Sequence, residues 1–214
     1  GYAAEFTPHR VTVVTPPWNF PVAIPTGGIA AALAAGSAVI IKPAPQVVHC
    51  AKIVVEAFRT ALESQGLDPD LVQLVFTDES DAGRALISHD DVDAVILTGA
   101  SATGQLFRSW DPQMNIMAET SGKNALIITP SADPDLAIQD LYLSAFGHSG
   151  QKCSASSLVI FVGAAGESER LRSQLIDAVD TLIPGPGHDI TTTMNGLAEA
   201  PGEKLLRGLT QLEP

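Results

Sequence analysis

An α/β fold, a parallel sheet covered by helices, is what the 214-residue sequence predicts, and three observations carry the expectation. Apolar runs of strand length alternate with helix-periodic segments. Hydrophobic residues make up 45% of the chain and the mean hydropathy is +0.20, ample for a buried core. Prolines, glycines and polar side chains follow several of the strand-like runs, at the carboxyl edge where open α/β sheets bind ligands.

The strand candidates in order are 11–15 (VTVVT), 37–42 (SAVIIK), 71–76 (LVQLVF), 92–97 (VDAVIL), 114–119 (MNIMAE), 124–129 (NALIIT) and 157–162 (SLVIFV). Between the second and third, residues 46–65 place Val47, Ala51, Val54, Phe58 and Leu62 on one helical face and stop at Gly66, suited to a carboxyl cap. After the fourth, LTGASATG at 97–104 runs from strand into helix. After the sixth, Asp133 and Pro134 read as N-cap and first helical residue of a helix to about Phe146, because proline lacks only a donor that the first turn cannot use. A further amphipathic helix turns Leu171, Leu175, Ala178 or Val179, and Leu182 inward and ends before IPGPGHD at 183–189. Beyond it periodicity fades, which predicts loop and short helix without a closing strand. A change of character at 121–124 (SGKN) marks a domain boundary. There is no internal repeat.

Twelve basic against twenty-four acidic residues give a net charge of -12, which argues against non-specific binding of nucleic acid and against docking on anionic lipid. The expected partner is a small molecule or another protein. The two cysteines lie about a hundred residues apart, which suggests free thiols in a reducing compartment, with cytoplasm as the default. No run of eighteen apolar residues and no secretion signal is present. No Cys/His spacing supports zinc, so no metal is expected. The sequence starts at Gly1 without Met and reaches a strand-like run within ten residues, as a piece of a longer polypeptide does.

Candidate chemistry gathers in five places. Cys153 lies in FGHSGQKCSASS at 146–157, among glycines and polar side chains, whereas Cys50 sits in the apolar run QVVHCAKIVVEAF, where a structural thiol belongs. In TPPWNFP at 15–21, Asn19 could donate its amide to a developing oxyanion, or the stretch is a rigid turn around a packed Trp18. Lys42 ends a strand in IIKPAP, where a lysine reaches ribose hydroxyls or phosphate, or is merely solvated. The helix start in LTGASATG presents N–H groups to an anion, although the spacing is not that of the G-x-G-x-x-G fingerprint. Glu119 in AETSGKN either caps a turn or serves as a general base. His148, five residues before Cys153, leaves a thiol hydrolase or acyltransferase open, with no matching Asn or Asp signature.

Taken as a set, PWNFP at 17–21, KPA at 42–44, TGASATG at 98–104, ETSGK at 119–123 and GQKCSA at 150–155 resemble the aldehyde dehydrogenase superfamily in order and spacing, with Glu119 and Cys153 separated by 34 residues. AETSGKNALIITPSAD and AFGHSGQKCSA look closest to the glutamate-semialdehyde (Δ1-pyrroline-5-carboxylate) dehydrogenase branch, in particular the dehydrogenase module of bifunctional proline utilization A flavoenzymes. The resemblance implies a Rossmann-like open parallel sheet with flanking helices for a partial NAD-binding domain over 1–122, and the first part of an α/β catalytic domain over 123–214. It implies NAD as cofactor, with FAD confined to a separate proline dehydrogenase domain outside this chain, and a full-length protein that is a homo-oligomer. Cys153 would be the nucleophile, Asn19 with the Cys153 backbone N–H the oxyanion hole, and Glu119 the general base. Lys42 would hold the adenosine ribose, Thr98 and Gly99 would sit by the pyrophosphate, and Trp18, Gly83, Ala100 and Thr103 would complete the cofactor set.

The sequence also departs from the family. Pro45 stands where an acidic residue often assists the ribose, Ala100 stands where serine commonly follows the TG pair, and the glycine-rich loop becomes FTDESDAG, with Asp78, Glu79 and Asp81 and only Gly83 matching. Carboxylates there would repel a pyrophosphate at low salt. The alternative is thus a non-catalytic nucleotide-binding or scaffold domain. The EEIFGP-type motif and the later substrate loop and oligomerisation hairpin of the family have no counterpart, so this segment by itself is expected to be inactive or nearly so.

Overall fold

The computed structural model describes residues 6–78 and 80–211, and Glu79 of the acidic loop lies outside the described residues. The chain forms two compact units, one ending at Ser121 and one beginning at Gly122.

The first unit is a five-stranded parallel sheet of β1 (Val11–Thr15), β2 (Ala38–Ile41), β3 (Val72–Leu74), β4 (Ala94–Gly99) and β5 (Ile116–Thr120), in the order β3-β2-β1-β4-β5. Its helices are α1 (Ala23–Ala34), α2 (Val48–Ser64), α3 (Asp81–Ile87) and α4 (Ser101–Trp110). Continuous β-branched runs suit strands covered on both faces, and β1 in the centre is buried from its second residue on. Alternation along the strands divides the core. Val14, Val39 and Ile41 pack with Ile29 of α1 and Ala51, Val54 and Val55 of α2. Val13, Val95 and Leu97 pack on the other side with Ile87 of α3 and Phe107 of α4.

No helix was foreseen over Ala23–Ala34. AIPTGGIAAALA is apolar on nearly every side and contains Pro25, Gly27 and Gly28, so it shows no polar face to read. Gly28 explains its closeness to the sheet: a Cβ there would lie 2.9 Å from Cγ1 of Val14. α2 starts later than 46, because Pro45–Val47 forms a 3-10 turn first. It ends as expected at Gly66, whose φ of +69° lets Gly66 N bond Glu63 O at 2.9 Å and Leu67 N bond Leu62 O at 3.0 Å.

In the second unit, β6 (Asn124–Ile128) pairs in parallel with β7 (Ser156–Phe161), joined through α5 (Pro134–Phe146), with α6 (Glu169–Asp180) packed on α5. Ile128, Ile138, Leu141, Ala165 and Leu171 form its core. Asp133 caps α5, accepting from Asp135 N at 2.9 Å and Leu136 N at 3.0 Å. Asp135 ties α5 to α6 by accepting from Gln174 Nε2 at 2.6 Å and Arg170 Nη2 at 2.7 Å. These partners, Gln174 first, hold its carboxyl below the usual carboxylate range. The chain continues through two two-residue strands, β8 (Pro184–Gly185) and β9 (Met194–Asn195), which pair with each other, to α7 (Glu203–Thr210). No helix among the described residues is long and apolar enough to cross a membrane.

Candidate active site

In the first unit, strand register brings the candidate residues to one edge. Lys42 N bonds Val14 O at 2.9 Å, extending the β1–β2 ladder past β2, and Thr98 and Glu119 are paired neighbours on β4 and β5, roughly 5 Å apart across the ladder. Lys42, Thr15, Thr98 and Glu119 therefore reach the carboxyl edge within about one residue's rise of a common line, on four adjacent strands. The strand order reverses between β1 and β4, which makes their shared carboxyl end the crevice that ligands occupy in such sheets. Trp18 and Asn19, half-buried, lie in the turn that leaves β1 at this point.

Lys42 is only 8% exposed, so its stem is packed at the sheet edge and is not a freely solvated side chain. Its charge acts on Asp78, in the loop leaving the neighbouring β3. Asp78 accepts from Ser80 Oγ and from Ser80 N at 3.0 Å. The two Ser80 bonds come first, and Lys42 adds to them, in holding the Asp78 carboxyl below its ordinary range, so it is ionised at neutral pH. Gly83, buried in α3, has a local reason to be glycine: a Cβ would lie 2.1 Å from the carbonyl oxygen of Asp78.

α4 begins beyond Thr98 and Gly99 with Ala100 as N-cap, a residue with no side chain to cap the first turn. Ser101 N donates instead to Ser121 Oγ at 3.3 Å, and Ser101 Oγ to Thr120 Oγ1 at 3.2 Å. Thr103, half-buried in the first turn, donates its N–H to Ala100 O at 3.0 Å. Glu119 is exposed near the end of β5. The residues suit a dinucleotide at two points: a lysine at the β2 edge for ribose hydroxyls, and a ten-residue helix whose positive end follows β4 for a phosphate. The ionised Asp78 lies by the first, its carboxylate within the influence of the Lys42 charge.

In the second unit Cys153 is exposed, whereas Cys50, on α2 of the first unit, is half-buried. Cys153 follows a turn over Gly147–Gly150 in which His148, Ser149 and Gly150 have φ of 58°, 57° and 69°. The left-handed region costs about 1 kcal/mol or more for each non-glycine residue, so such a turn persists only when its surroundings hold it. Ser149 Oγ donates to Asn195 O, Gln151 Nε2 to Gly196 O at 3.3 Å, and Ala198 N to Gln151 Oε1 at 3.0 Å. Lys152 Nζ donates to Leu143 O at 3.3 Å, a cation at the carboxyl end of α5. Asn124 Nδ2 donates to the carbonyl oxygens of Cys153 and Ala155. Sequence reasoning missed these supports. The one available signal was an amide closing the same AETSGKN stretch as Glu119. Among the described residues no group of three or more His, Cys, Asp or Glu is arranged to hold a metal ion.

The sequence matches the aldehyde dehydrogenase family over residues 4–211. The solved structure of proline utilization A from Corynebacterium freiburgense superposes with a TM-score of 0.90 at 64% identity, covering 98% of this chain and 21% of that one. A 1-pyrroline-5-carboxylate dehydrogenase of Staphylococcus epidermidis is 39% identical over 163 residues, 72% of this chain and 31% of the relative. A betaine aldehyde dehydrogenase of Staphylococcus aureus, solved in complex with NAD+, superposes with a TM-score of 0.82 at 29% identity, covering 90% of this chain and 37% of that one. The chain thus spans about a third of the length of the curated relatives it matches.

Proposed function

The chain belongs to the aldehyde dehydrogenase family, and from that premise we propose that it serves the NAD-dependent oxidation of L-glutamate 5-semialdehyde, the open form of Δ1-pyrroline-5-carboxylate, to L-glutamate in proline catabolism. The observation that carries the substrate is the 64% identity with a proline utilization A enzyme over almost the whole chain. The pyrroline-5-carboxylate dehydrogenase relative agrees with it.

In this reading the Cys153 sulfur forms a bond to the aldehyde carbon while its proton leaves to a base. The Asn19 amide and the Cys153 backbone N–H donate to the oxygen as it gains charge, an interaction whose loss typically costs about 3 kcal/mol of barrier stabilisation. NAD, when bound, supplies the hydride acceptor that leaves a thioester on Cys153. Glu119 then takes a proton from the water that attacks the thioester carbon, and the C–S bond breaks to release the carboxylate and the thiol. Lys42 holds ribose hydroxyls; Trp18, Thr98, Gly99, Ala100 and Thr103 line the cofactor's path, and Gly83 keeps the neighbouring loop in place.

A second reading, a nucleotide-binding or scaffold domain without turnover, is favoured by one feature: the ionised Asp78 beside Lys42, where an anionic cofactor would approach. Presence of Asn19, Glu119 and Cys153 together supports the enzyme instead. The test is NADH formation from glutamate 5-semialdehyde by the full-length natural protein. Turnover lost in Cys153→Ser, with NAD affinity unchanged, is expected. NAD binding without turnover in the full-length protein would support the scaffold.

A further inference from the structure

Asn124 is the first residue of β6, and its side chain crosses to the loop that carries Cys153. Its Nδ2 donates to Cys153 O at 2.6 Å and to Ala155 O at 3.1 Å, so the two hydrogens of one amide serve two carbonyls flanking Ser154. The strand ladder is irregular at this point. Asn124 is paired with Ser156, yet Ala125 is already paired with Leu158, so Ser157 is an extra residue on the β7 side. A bulge takes neighbouring carbonyls out of ladder register, and here a side chain replaces the ladder as their donor. The same loop is held from α5, where Ser156 N donates to Ser144 Oγ at 3.2 Å.

We propose that Asn124 is the positioning residue for the Cys153 thiol: by fixing the carbonyl of Cys153 it fixes that residue's ψ, and with it the direction of the Cα–Cβ bond. The turn upstream holds His148 and Ser149 in the left-handed region and relaxes when an anchor is lost. Asn124 acts through the backbone and takes no proton in the reaction. Its value to catalysis rests on the reading of Cys153 as nucleophile; its effect on the orientation of Cys153 does not.

The test is alkylation of the chain by iodoacetamide at one fixed pH, with the rate at each cysteine read by mass spectrometry. Cys50, in the first unit, is the internal control. The wild-type rate at Cys153 is expected to differ from that of the urea-unfolded chain. Asn124→Ala is expected to move the Cys153 rate at least about fivefold toward the unfolded value, with the rate at Cys50 unchanged. Asn124→Asp keeps the shape but sets a carboxylate against two carbonyls, and carries the test should Asn124→Ala fold poorly. Wild-type kinetics at Cys153 in both variants would overturn the proposal, as would a wild-type rate already equal to that of the unfolded chain. A protein that forms no NADH, yet whose Cys153 responds to Asn124, would refute the catalytic reading and leave the positioning intact.

Discussion

Replacing Gly83 by alanine tests how the loop beside Lys42 is built. The added methyl would lie 2.1 Å from the Asp78 carbonyl oxygen and 3.1 Å from Thr77 Oγ1, inside van der Waals contact with a backbone atom that cannot swing aside. Overpacking of this kind costs about 1–3 kcal/mol, and contact with backbone argues for the upper part of that range. Alanine in a helix returns about 1 kcal/mol relative to glycine, so the net loss is about 1–2 kcal/mol. Gly27→Ala in α1 is the matched control, since a Cβ there meets nothing within 4 Å. It is expected to stabilise by about 0.5–1 kcal/mol. Urea unfolding of both variants reads the difference through the midpoint at unchanged slope. Gly83→Ala as stable as the parent would refute the close approach of α3 to the loop, and with it this explanation of the glycine.

Asp133→Ala removes an acceptor for two first-turn N–H groups of α5 and is expected to cost about 1 kcal/mol in urea unfolding; an unchanged midpoint would count against the cap. Acid is expected to weaken the fold through four carboxyls held below their ordinary range: Asp78 by its hydrogen bonds from Ser80, Asp135 by those from Gln174 and Arg170, Asp93 by those from Arg10, and Asp189 by those from Thr191 N and Oγ1. A depressed carboxyl contributes stability that is complete above its unfolded value, about 3.9, and is lost as pH falls through the folded one; Asp135→Asn should flatten part of that decline in a series of unfolding curves. Asp78→Asn is expected to tighten NAD binding about two- to fivefold at low ionic strength, with the gain shrinking as salt is added. A gain insensitive to salt would mean that charge is not the cause.

The seven strand-like runs all become strands, because each is a short apolar stretch and the signal is local; it holds for the largely buried β1 and β4 and equally for β5, β6 and β7, most of whose residues are exposed or half-buried. Their ends moved by one or two residues: the run read as 92–97 forms Ala94–Gly99, so that Gly99 still pairs with Thr120. α1 was illegible for the opposite reason: Ile29 and Ala32 are buried, but their neighbours along the helix are alanine, glycine and leucine, and the residue types do not distinguish inside from outside. At the candidate site, chemistry-bearing types at strand ends were legible, as with Lys42 after β2 and Thr98, the next-to-last residue of β4. The supports were not. Asn124 reaches a carbonyl 29 residues away and Gln151 an amide 47 residues away, and no local periodicity encodes such contacts. Gly83 matched the family pattern, but its steric reason needed the position of the Asp78 carbonyl.

The most direct measurement is a calorimetric titration of NAD into this chain, with Lys42→Ala titrated beside it. Saturable binding, weakened at least about tenfold by the loss of the lysine's contact with the ribose, is what a dinucleotide-binding core of an aldehyde dehydrogenase predicts. Absence of binding, or binding that Lys42→Ala leaves unchanged, would contradict the placement of the cofactor at this sheet edge.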